Sequence, residues 1–441
     1  MNRRIFLQKS ALSTAGIGLT PLIGAKYQQS VYGLTAPSNK VKVALIGCRS
    51  QGYSNLNTFL DYPEVECVAL CDVDDEWLSK RAADVEKKTG KRPPSIYKDW
   101  RRVVENKDVD VVIIGTPDHW HCLPLVESVM AGKDVYVEKP LSNTIEECDL
   151  MVKATRLSRR IVQVGQWQRS DPHWNEAAAY LRGGNIGRIR TVKVWAYQDA
   201  KPTLPPKPDS APPAGVDYDM WLGPAPKRPF NEYRFHYNFR FFWDYAGGLM
   251  SDWGVHLLDY ALEGMGAGLP AQVYGSGGKM AYPVDAMETP DTLMATYSYK
   301  DFNIIWDHAC GINHGLFDKK EGLAFYGENG TMLLTRAGWE VFPVVAGDVP
   351  RMEAVPFRKG EGKGLYRHVG NFLDCIKSRE LPNADIAIGA RVAKMSHLAN
   401  ISCRVKHEIH WDDARNRIVG DSEAEALGKA YYRAPWTLPK L

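Results

Sequence analysis

The chain has 441 residues, of which 44% are hydrophobic and 24% charged, and its formal net charge is +3 at pH 7. This length accommodates two or three domains with full hydrophobic cores, and the composition is that of an ordinary globular protein. With so small a net charge and no long cluster of lysine and arginine, nucleic-acid binding is disfavoured.

The first 36 residues are predicted to be an export signal and linker rather than part of the fold. Arg3 and Arg4 precede apolar residues, and a weakly hydrophobic segment follows from Ala11 to Ala25. This pattern resembles a twin-arginine signal, which exports folded proteins. The apolar run is short and glycine-rich. We therefore expect a periplasmic or otherwise exported protein without a stable membrane span after signal removal; an uncleaved anchor is the alternative.

Strands and helices are predicted to alternate through residues 37–166. The continuous apolar run Val41–Ile46 is typical of a parallel strand buried on both faces. Further strands near 65–71, 109–115, 135–138 and 161–165 are separated by helical segments. This alternation predicts an N-terminal Rossmann domain, with a doubly wound parallel sheet.

The pattern changes in residues 167–441. Several short segments between 190 and 334 alternate apolar and polar residues, as half-exposed strands do. They predict an open-faced, largely antiparallel sheet domain for substrate binding and oligomerisation. The proline-rich segment 201–229 should form a long loop that walls a cleft. Helices near 366–378 and 387–405 are expected to pack back toward the Rossmann domain.

Eight cysteines are scattered along the chain without a CxxC pair. This spacing disfavours a zinc site, and no metal is predicted. Most of the cysteines are interpreted as small buried hydrophobic residues.

A nucleotide site is predicted where Gly47-Cys48-Arg49-Ser50-Gln51-Gly52 joins the first strand to a helix. The dinucleotide fingerprint has glycine at the first, third and sixth positions of such a loop, and Arg49 replaces the middle one. Arg49 either lies along the pyrophosphate or points to solvent. Asp72 ends the second strand, where it would bind a ribose 2′-hydroxyl and repel a phosphate, unless it only caps a helix. NAD is therefore favoured over NADP.

Two later loops also follow strands and should face the cofactor, because ligands of such sheets lie beyond the carboxyl ends of the strands. They are residues 116–121 and Glu138-Lys139-Pro140. His121 is interpreted as the neighbour of the nicotinamide half of the cofactor. For His119, a structural role and a role in the site are equally consistent with the sequence.

The chain resembles the glucose–fructose oxidoreductase/inositol dehydrogenase (Gfo/Idh/MocA) family over nearly everything after the signal. The resemblance rests chiefly on Glu138-Lys139-Pro140 combined with Asp252-Trp253-Gly254-Val255-His256, and also on the nucleotide loop, Thr116-Pro117 with His121, residues 131–133 and residues 166–169. It implies a Rossmann domain followed by an open-faced mixed sheet, in a homodimer or homotetramer. The family's lysine, aspartate and histidine match the catalytic candidates Lys139, Asp252 and His256.

The remaining site residues are assigned from these loops and from the aromatic and polar residues next to the motifs. The cofactor-binding candidates are Gly47, Arg49, Ser50, Gln51, Gly52, Asp72, Thr116, Pro117, His121, Glu138, Lys139 and Gln166. The substrate-binding candidates are Trp167, Arg169, Tyr237, Arg240, Trp243 and Asp244, because aromatic faces beside hydrogen-bonding groups suit sugar rings.

Oxidation of a secondary alcohol requires a base, and an imidazole such as that of His256 titrates near neutral pH. Lys139, kept cationic by Asp252, would stabilise alkoxide character on the substrate oxygen. The leading hypothesis is therefore an exported NAD-dependent oxidoreductase acting on a sugar or glycoside, plausibly at C3, with retained cofactor. The alternatives are an α-N-acetylgalactosaminidase-like NAD-dependent glycosidase, which oxidises C3 transiently and eliminates the aglycone, and a non-catalytic sugar-binding protein.

Overall fold

A computed structural model describes residues 40–198 and 203–441. The predicted export signal lies outside the described residues. Within those two ranges, no helix combines the length and apolar character needed to cross a membrane.

The first domain is built on a six-stranded sheet in the order β3-β2-β1-β4-β5-β6, in which every pair is parallel. Its strands are β1 (Val41–Ile46), β2 (Val65–Cys71), β3 (Ser95–Tyr97), β4 (Val111–Ile114), β5 (Asp134–Val137) and β6 (Val162–Val164). The helices between them are α1 (Ser50–Phe59), α2 (Asp75–Thr89), α3 (Arg101–Glu105), α4 (Cys122–Met130) and α5 (Ile145–Ser158). The predicted Rossmann sheet is therefore confirmed.

Local signals explain the clearest boundaries. The Asp74 side chain caps α2 by accepting from the Glu76 amide, and Gly90 ends this helix in a left-handed conformation. A reciprocal capping box between Thr144 and Glu147 starts α5. The short edge strand β3 was not anticipated, because three residues carry too little periodicity to be recognised.

The second domain contains a ten-stranded sheet in the order β16-β13-β12-β11-β7-β10-β9-β8-β17-β18. The pair β7–β10 is parallel and its other pairs are antiparallel, so the predicted largely antiparallel sheet is confirmed. Its strands are β7 (Ile189–Gln198), β8 (Gln272–Gly278), β9 (Thr292–Ser298), β10 (Asn303–Cys310), β11 (Glu321–Gly327), β12 (Gly330–Thr335), β13 (Gly338–Pro343), β16 (Val355–Lys359), β17 (Ile409–Asp412) and β18 (Arg417–Val419), while β14 (Val345–Ala346) and β15 (Val349–Pro350) form a separate hairpin.

Helices cover one face of this sheet and join it to the first domain. They are α6 (Pro172–Arg182), α7 (Tyr218–Leu222), α8 (Gly248–Asp252), α9 (Gly254–Met265), α10 (Gly364–Ser378), α11 (Ile386–Val405) and α12 (Ser422–Leu427). The proline-rich loop thus contains one short helix, α7. All eight cysteines are free, and seven of them are buried.

Helices α10 and α11 pack on the Rossmann sheet although they come late in the chain. Phe372 of α10 lies with its ring centroid 6.0 Å from that of Phe59 and 5.9 Å from that of Tyr136. Ile386 and Ala390 of α11 belong to the cluster on the opposite side of the sheet. The C-terminal helices therefore fix how the two domains meet.

We predict that Phe372→Ala lowers the free energy of unfolding by about 3 to 5 kcal/mol, because it leaves a cavity among fully buried rings. Denaturant unfolding measures the loss. Leu381→Ala is the control, since Leu381 is 67% exposed. Equal effects of the two substitutions would contradict this account of α10.

Candidate active site

The nucleotide loop depends on an unusually close crossing of backbone segments. Gly47 has φ +88°, and a Cβ there would lie 2.6 Å from the Gly115 carbonyl carbon. A Cβ on Gly52, the third residue of α1, would lie 2.1 Å from the Gly47 oxygen. These two glycines let α1 begin at Ser50, directly after the loop that follows β1.

Asp72 is held at the end of β2 by two backbone donors. Its carboxylate accepts from the Cys48 amide at 2.6 Å and from the Asp74 amide at 3.1 Å. Burial raises the pKa of Asp72 to about 6, although these amides oppose the shift. The carboxylate therefore stays at the cleft wall, where a ribose hydroxyl could share it.

Arg49 lies beside Trp77, with its guanidinium carbon 4.7 Å from the ring centroid. Among the described residues, its buried Nε and Nη1 atoms have no hydrogen-bond partner, and neither has the Thr116 hydroxyl at the same cleft. Unpaired buried donors are costly. A dinucleotide fits here, because its phosphate oxygens would satisfy the arginine and the helix N-terminus of α1.

Glu138 connects helix α1 to Lys139. Its carboxylate accepts from the Asn55 amide at 2.8 Å and from the Lys139 backbone amide at 3.1 Å. A Cβ at Gly165 would lie 2.5 Å from this carboxylate. Glu138 therefore orients the strand end from which the Lys139 side chain projects.

Asp252 and His256 lie on two successive helices rather than on one. Helix α8 ends at Asp252, Trp253 separates the helices, and α9 carries His256 in its first turn. The break turns both side chains toward the end of β5. Asp252 and His256 line one cleft with Lys139, which comes from the other domain.

The ammonium of Lys139 and the carboxylate of Asp252 form a close ion pair, with Nζ 2.6 Å from Oδ1. Lys139 also donates to the Asp252 carbonyl at 3.0 Å, and Arg240 Nε lies 3.5 Å from Oδ1. Burial alone would raise the pKa of Asp252, but the two cations hold it well below its usual range. Asp252 therefore remains ionised.

The imidazole of His256 is buried, and its Nδ1 has no hydrogen-bond partner among the described residues. Burial, reinforced by the charges of Lys139 and Arg336, lowers its pKa well below the usual value, against the opposing charge of Asp252. The ring is thus neutral at pH 7. It can accept a proton when a polar substrate enters the cleft.

The cleft has a volume of about 400 Å³ and runs from the nucleotide loop to these three residues. Most of the predicted site residues line it: Gly47, Arg49, Ser50, Gln51, Asp72, Thr116, Pro117, Glu138, Lys139, Trp167, Tyr237, Arg240, Asp252 and His256. Trp221 of the proline-rich loop lines it as well.

Other predicted residues lie behind the cleft or away from it. Gly52 packs beneath the nucleotide loop, and Gln166 is buried next to the lining residue Gly165. His121 is also buried, with Nδ1 2.7 Å from the Pro140 oxygen and Nε2 3.0 Å from the Thr116 oxygen. His121 therefore holds two loops together. It was expected to lie beside the nicotinamide, but it does not line the cleft.

Three substrate candidates are engaged elsewhere. Arg169 forms a buried pair with Asp259, with Nη2 2.6 Å from Oδ1, because α9 presents that carboxylate directly opposite. The backbone amide of Trp243 donates to Glu288 at 3.0 Å. Asp244 forms an ion pair with Arg228. The structure does not bring these three residues to the cleft.

The structure adds residues that sequence reasoning missed. Asp118 and Arg336 line the cleft near the catalytic group, and His236 lines it near Asp74. Asp118 lies in the loop 116–121, which was expected to face the cofactor, so its carboxylate could have been recognised as a site residue from the sequence. Arg336 follows β12, about eighty positions beyond His256, and no local pattern marked it.

Family comparisons match both parts of this architecture. Residues 41–166 match the "Oxidoreductase family, NAD-binding Rossmann fold", and residues 194–438 match the "Oxidoreductase family, C-terminal alpha/beta domain". Both are Gfo/Idh/MocA profiles. The resemblance read from the motifs and the NAD cofactor are thereby confirmed.

Two relatives by sequence are a glycosyl hydrolase family 109 protein of Shewanella baltica, 32% identical over 163 residues, and alpha-N-acetylgalactosaminidase of Shewanella oneidensis, 32% identical over 165. Each match covers 34% of this chain and 35% of the relative. The shared region is therefore about a third of either protein.

Two solved structures share the fold over most of the chain. A levoglucosan dehydrogenase in complex with NADH and levoglucosan has a TM-score of 0.65 at 18% identity, covering 84% of this chain and 99% of that one. An aldose–aldose oxidoreductase from Caulobacter crescentus complexed with glycerol has a TM-score of 0.62 at 19% identity, with the same coverage. At these identities the likeness establishes the fold.

We predict that Asp118→Asn flattens the dependence of stability on pH. Burial raises the pKa of Asp118 to about 8, with Arg240 and Lys139 opposing the shift. The folded state therefore keeps a proton that the unfolded chain releases near pH 4, so stability falls as pH rises between these values. Urea unfolding at pH 5, 6, 7 and 8 measures the slope. An unchanged slope in the variant would contradict the assignment.

Proposed function

We propose that this chain, which belongs to the Gfo/Idh/MocA oxidoreductase family, oxidises a secondary hydroxyl of a sugar or glycoside, plausibly at C3. One observation carries the proposal. Lys139, Asp252 and His256 come from two domains and meet in a single cleft that also holds the nucleotide loop. A binding protein would not need an ammonium, a carboxylate and a neutral imidazole converging there.

Oxidation removes a proton from the hydroxyl oxygen and a hydride from the carbon that bears it. The nucleotide site would hold NAD, which would supply the hydride acceptor. The neutral imidazole of His256 takes the hydroxyl proton as general base, since its low pKa keeps it unprotonated. The Lys139 ammonium donates to the same oxygen and stabilises its developing negative charge. Asp252 positions Lys139 through the 2.6 Å ion pair.

A second candidate function is hydrolysis of a glycoside by transient C3 oxidation, elimination and re-reduction. The match to an alpha-N-acetylgalactosaminidase favours it. The same base and ammonium would serve the first step in either reaction. The two functions differ in whether the aglycone is released and whether the cofactor ends reduced.

Retention of the cofactor between turnovers is supported by a strap formed by residues 213–222. The Asp217 amide of the strap donates to the Val73 carbonyl at 2.9 Å, next to Asp72. Further along, the Trp221 carbonyl accepts from the Trp120 indole at 2.9 Å. These hydrogen bonds hold the strap against the first domain at the edge of the nucleotide cleft. The strap would therefore slow NAD release.

Export and assembly complete the proposal. The twin-arginine pattern at residues 3–4 supports a periplasmic location, where free NAD is scarce and a retained cofactor is advantageous. Tyr274 and Met294, on neighbouring strands β8 and β9, are exposed and support pairing of this sheet between copies in a homodimer or homotetramer.

The reaction is tested with the purified protein and a panel of nitrophenyl glycosides. We expect NAD in the supernatant after denaturation, and either a keto-sugar with the aglycone attached or free aglycone with the bound NAD unchanged. The first product indicates oxidation and the second hydrolysis. Neither product from any glycoside, or no nucleotide in the supernatant, would contradict the proposal.

We predict that His256→Ala lowers kcat by about 100- to 10,000-fold, the range expected when a general base is lost. Bound NAD should persist, because residues 47–52 of the nucleotide loop, and not α9, are the predicted contacts of the pyrophosphate. Stopped-flow absorbance at 340 nm measures the rate. His410→Ala, at an exposed position on β17, is the matched control. Loss of NAD together with activity would instead indicate a structural role.

A further inference from the structure

Arg336 lines the catalytic end of the cleft and comes from neither family motif. It lies in the turn between β12 and β13. Its guanidinium carbon is 4.5 Å from the centroid of the Trp253 ring and 5.4 Å from that of Trp167. The cation is thus held between two aromatic side chains, one of them adjacent to Asp252.

The guanidinium of Arg336 has a buried N–H donor for which the described residues supply no acceptor. Its Nε is shielded from solvent and has no hydrogen-bond partner within residues 40–198 and 203–441. Glu321 and Asp252 are the acidic groups whose charges act on it, yet neither forms an ion pair with it among the described residues. A buried donor left unpaired is costly, so an arginine in a ligand cleft in this state calls for an acceptor from the ligand.

The neighbouring cations already have an ion-pair partner. Lys139 and Arg240 both face the Asp252 carboxylate, and Glu138 accepts from Asn55. Burial raises the pKa of Asp118 to about 8, so that group carries a proton at neutral pH. Within the part of the chain that is described, Arg336 is therefore the cation at this end of the cleft that forms no ion pair.

We propose that Arg336 is a specificity-determining residue that binds a carboxylate on the substrate, so that the preferred substrate is a uronic acid or its glycoside. A planar carboxylate can accept two parallel hydrogen bonds from a guanidinium fork. Trp253 and Trp167 would flank the sugar carrying that group. This inference rests on the proposed function, since it assigns the substrate class of the same cleft.

The carboxylate is favoured over a sulfate or phosphate ester by the number of donors available. One guanidinium matches one singly charged, planar group, whereas a dianionic phosphate is usually held by several donors. Lys139 is assigned to the reacting hydroxyl oxygen, and Arg240 faces Asp252. The guanidinium of Arg336 is thus the donor group left for an anion on the substrate.

The test uses the full chain with its bound NAD and matched pairs of methyl glycosides: glucoside with glucuronide, and galactoside with galacturonide, in both anomers. Quenching of tryptophan fluorescence gives Kd, since Trp167 and Trp253 adjoin the guanidinium. Glucose 6-sulfate and glucose 6-phosphate are the competing anions. We expect at least one uronide to bind about 10- to 100-fold more tightly than its neutral partner, the range of a charge-assisted hydrogen bond.

Substitutions then assign the preference to this residue. Arg336→Gln should bring the ratio of the two Kd values to about 1, and Arg336→Lys should leave an intermediate ratio, because an ammonium keeps the charge without the fork. Arg351→Gln removes a charge from an exposed position outside the cleft and should leave the ratio unchanged. Thermal unfolding and bound NAD check that each variant is folded.

Several results would overturn the inference: no uronide preferred over its neutral partner, tighter binding of the sulfate or phosphate, or a preference that survives Arg336→Gln. Failure of this inference is distinguishable from failure of the proposed function. If neutral sugars are oxidised or hydrolysed and no uronide is preferred, the carboxylate subsite is contradicted and the proposed reaction is not. If a uronide binds in a manner that depends on Arg336 but no sugar gives a product, the proposed reaction is contradicted and the subsite is not.

Discussion

The active cleft depends on the ion pair between Lys139 and Asp252, because this contact joins the end of a Rossmann strand to a helix of the sheet domain. A buried pair of this kind is tolerated only when its geometry is good and its remaining polar atoms are satisfied. Here Lys139 donates to both the carboxylate and the carbonyl of Asp252, and Arg240 approaches from the other side. The break between α8 and α9 follows directly and presents His256 beside the pair.

The two sides of the cleft keep a fixed relative position because α11 takes part in two hydrophobic cores. Its first turns place Ile386 and Ala390 against the Rossmann sheet, while Leu398 and Ile401 belong to the core of the large sheet. Every residue of α11 from Val392 to Ser402 is buried, as expected of a helix segment packed between two layers. Rigid packing of α11 between the domains lets an ammonium and a carboxylate 113 positions apart meet at 2.6 Å.

The same burial that shapes the cleft also sets the protonation of its groups. Asp252, next to two cations, is ionised, whereas burial keeps a proton on Asp118 near neutral pH and removes it from His256. Two carboxyls in one cleft thus have different charges, because Lys139 and Arg240 pair directly with Asp252, whereas among the described residues neither forms an ion pair with Asp118. Arg336 is the remaining cation, and its setting between tryptophans points toward the ligand.

The sequence by itself determined the elements that local forces control. The apolar runs Val41–Ile46 and Val65–Cys71 form strands with the predicted bounds, because periodicity is a local property of the chain. The motifs likewise singled out Lys139, Asp252 and His256 as candidates, and the three side chains line one cleft. Only the tertiary structure decided that Arg169 pairs with Asp259, ninety positions away, while Arg336 faces the cleft. The sequence neighbours of the two arginines do not specify their partners, because each partner depends on which distant side chain the fold brings opposite the guanidinium.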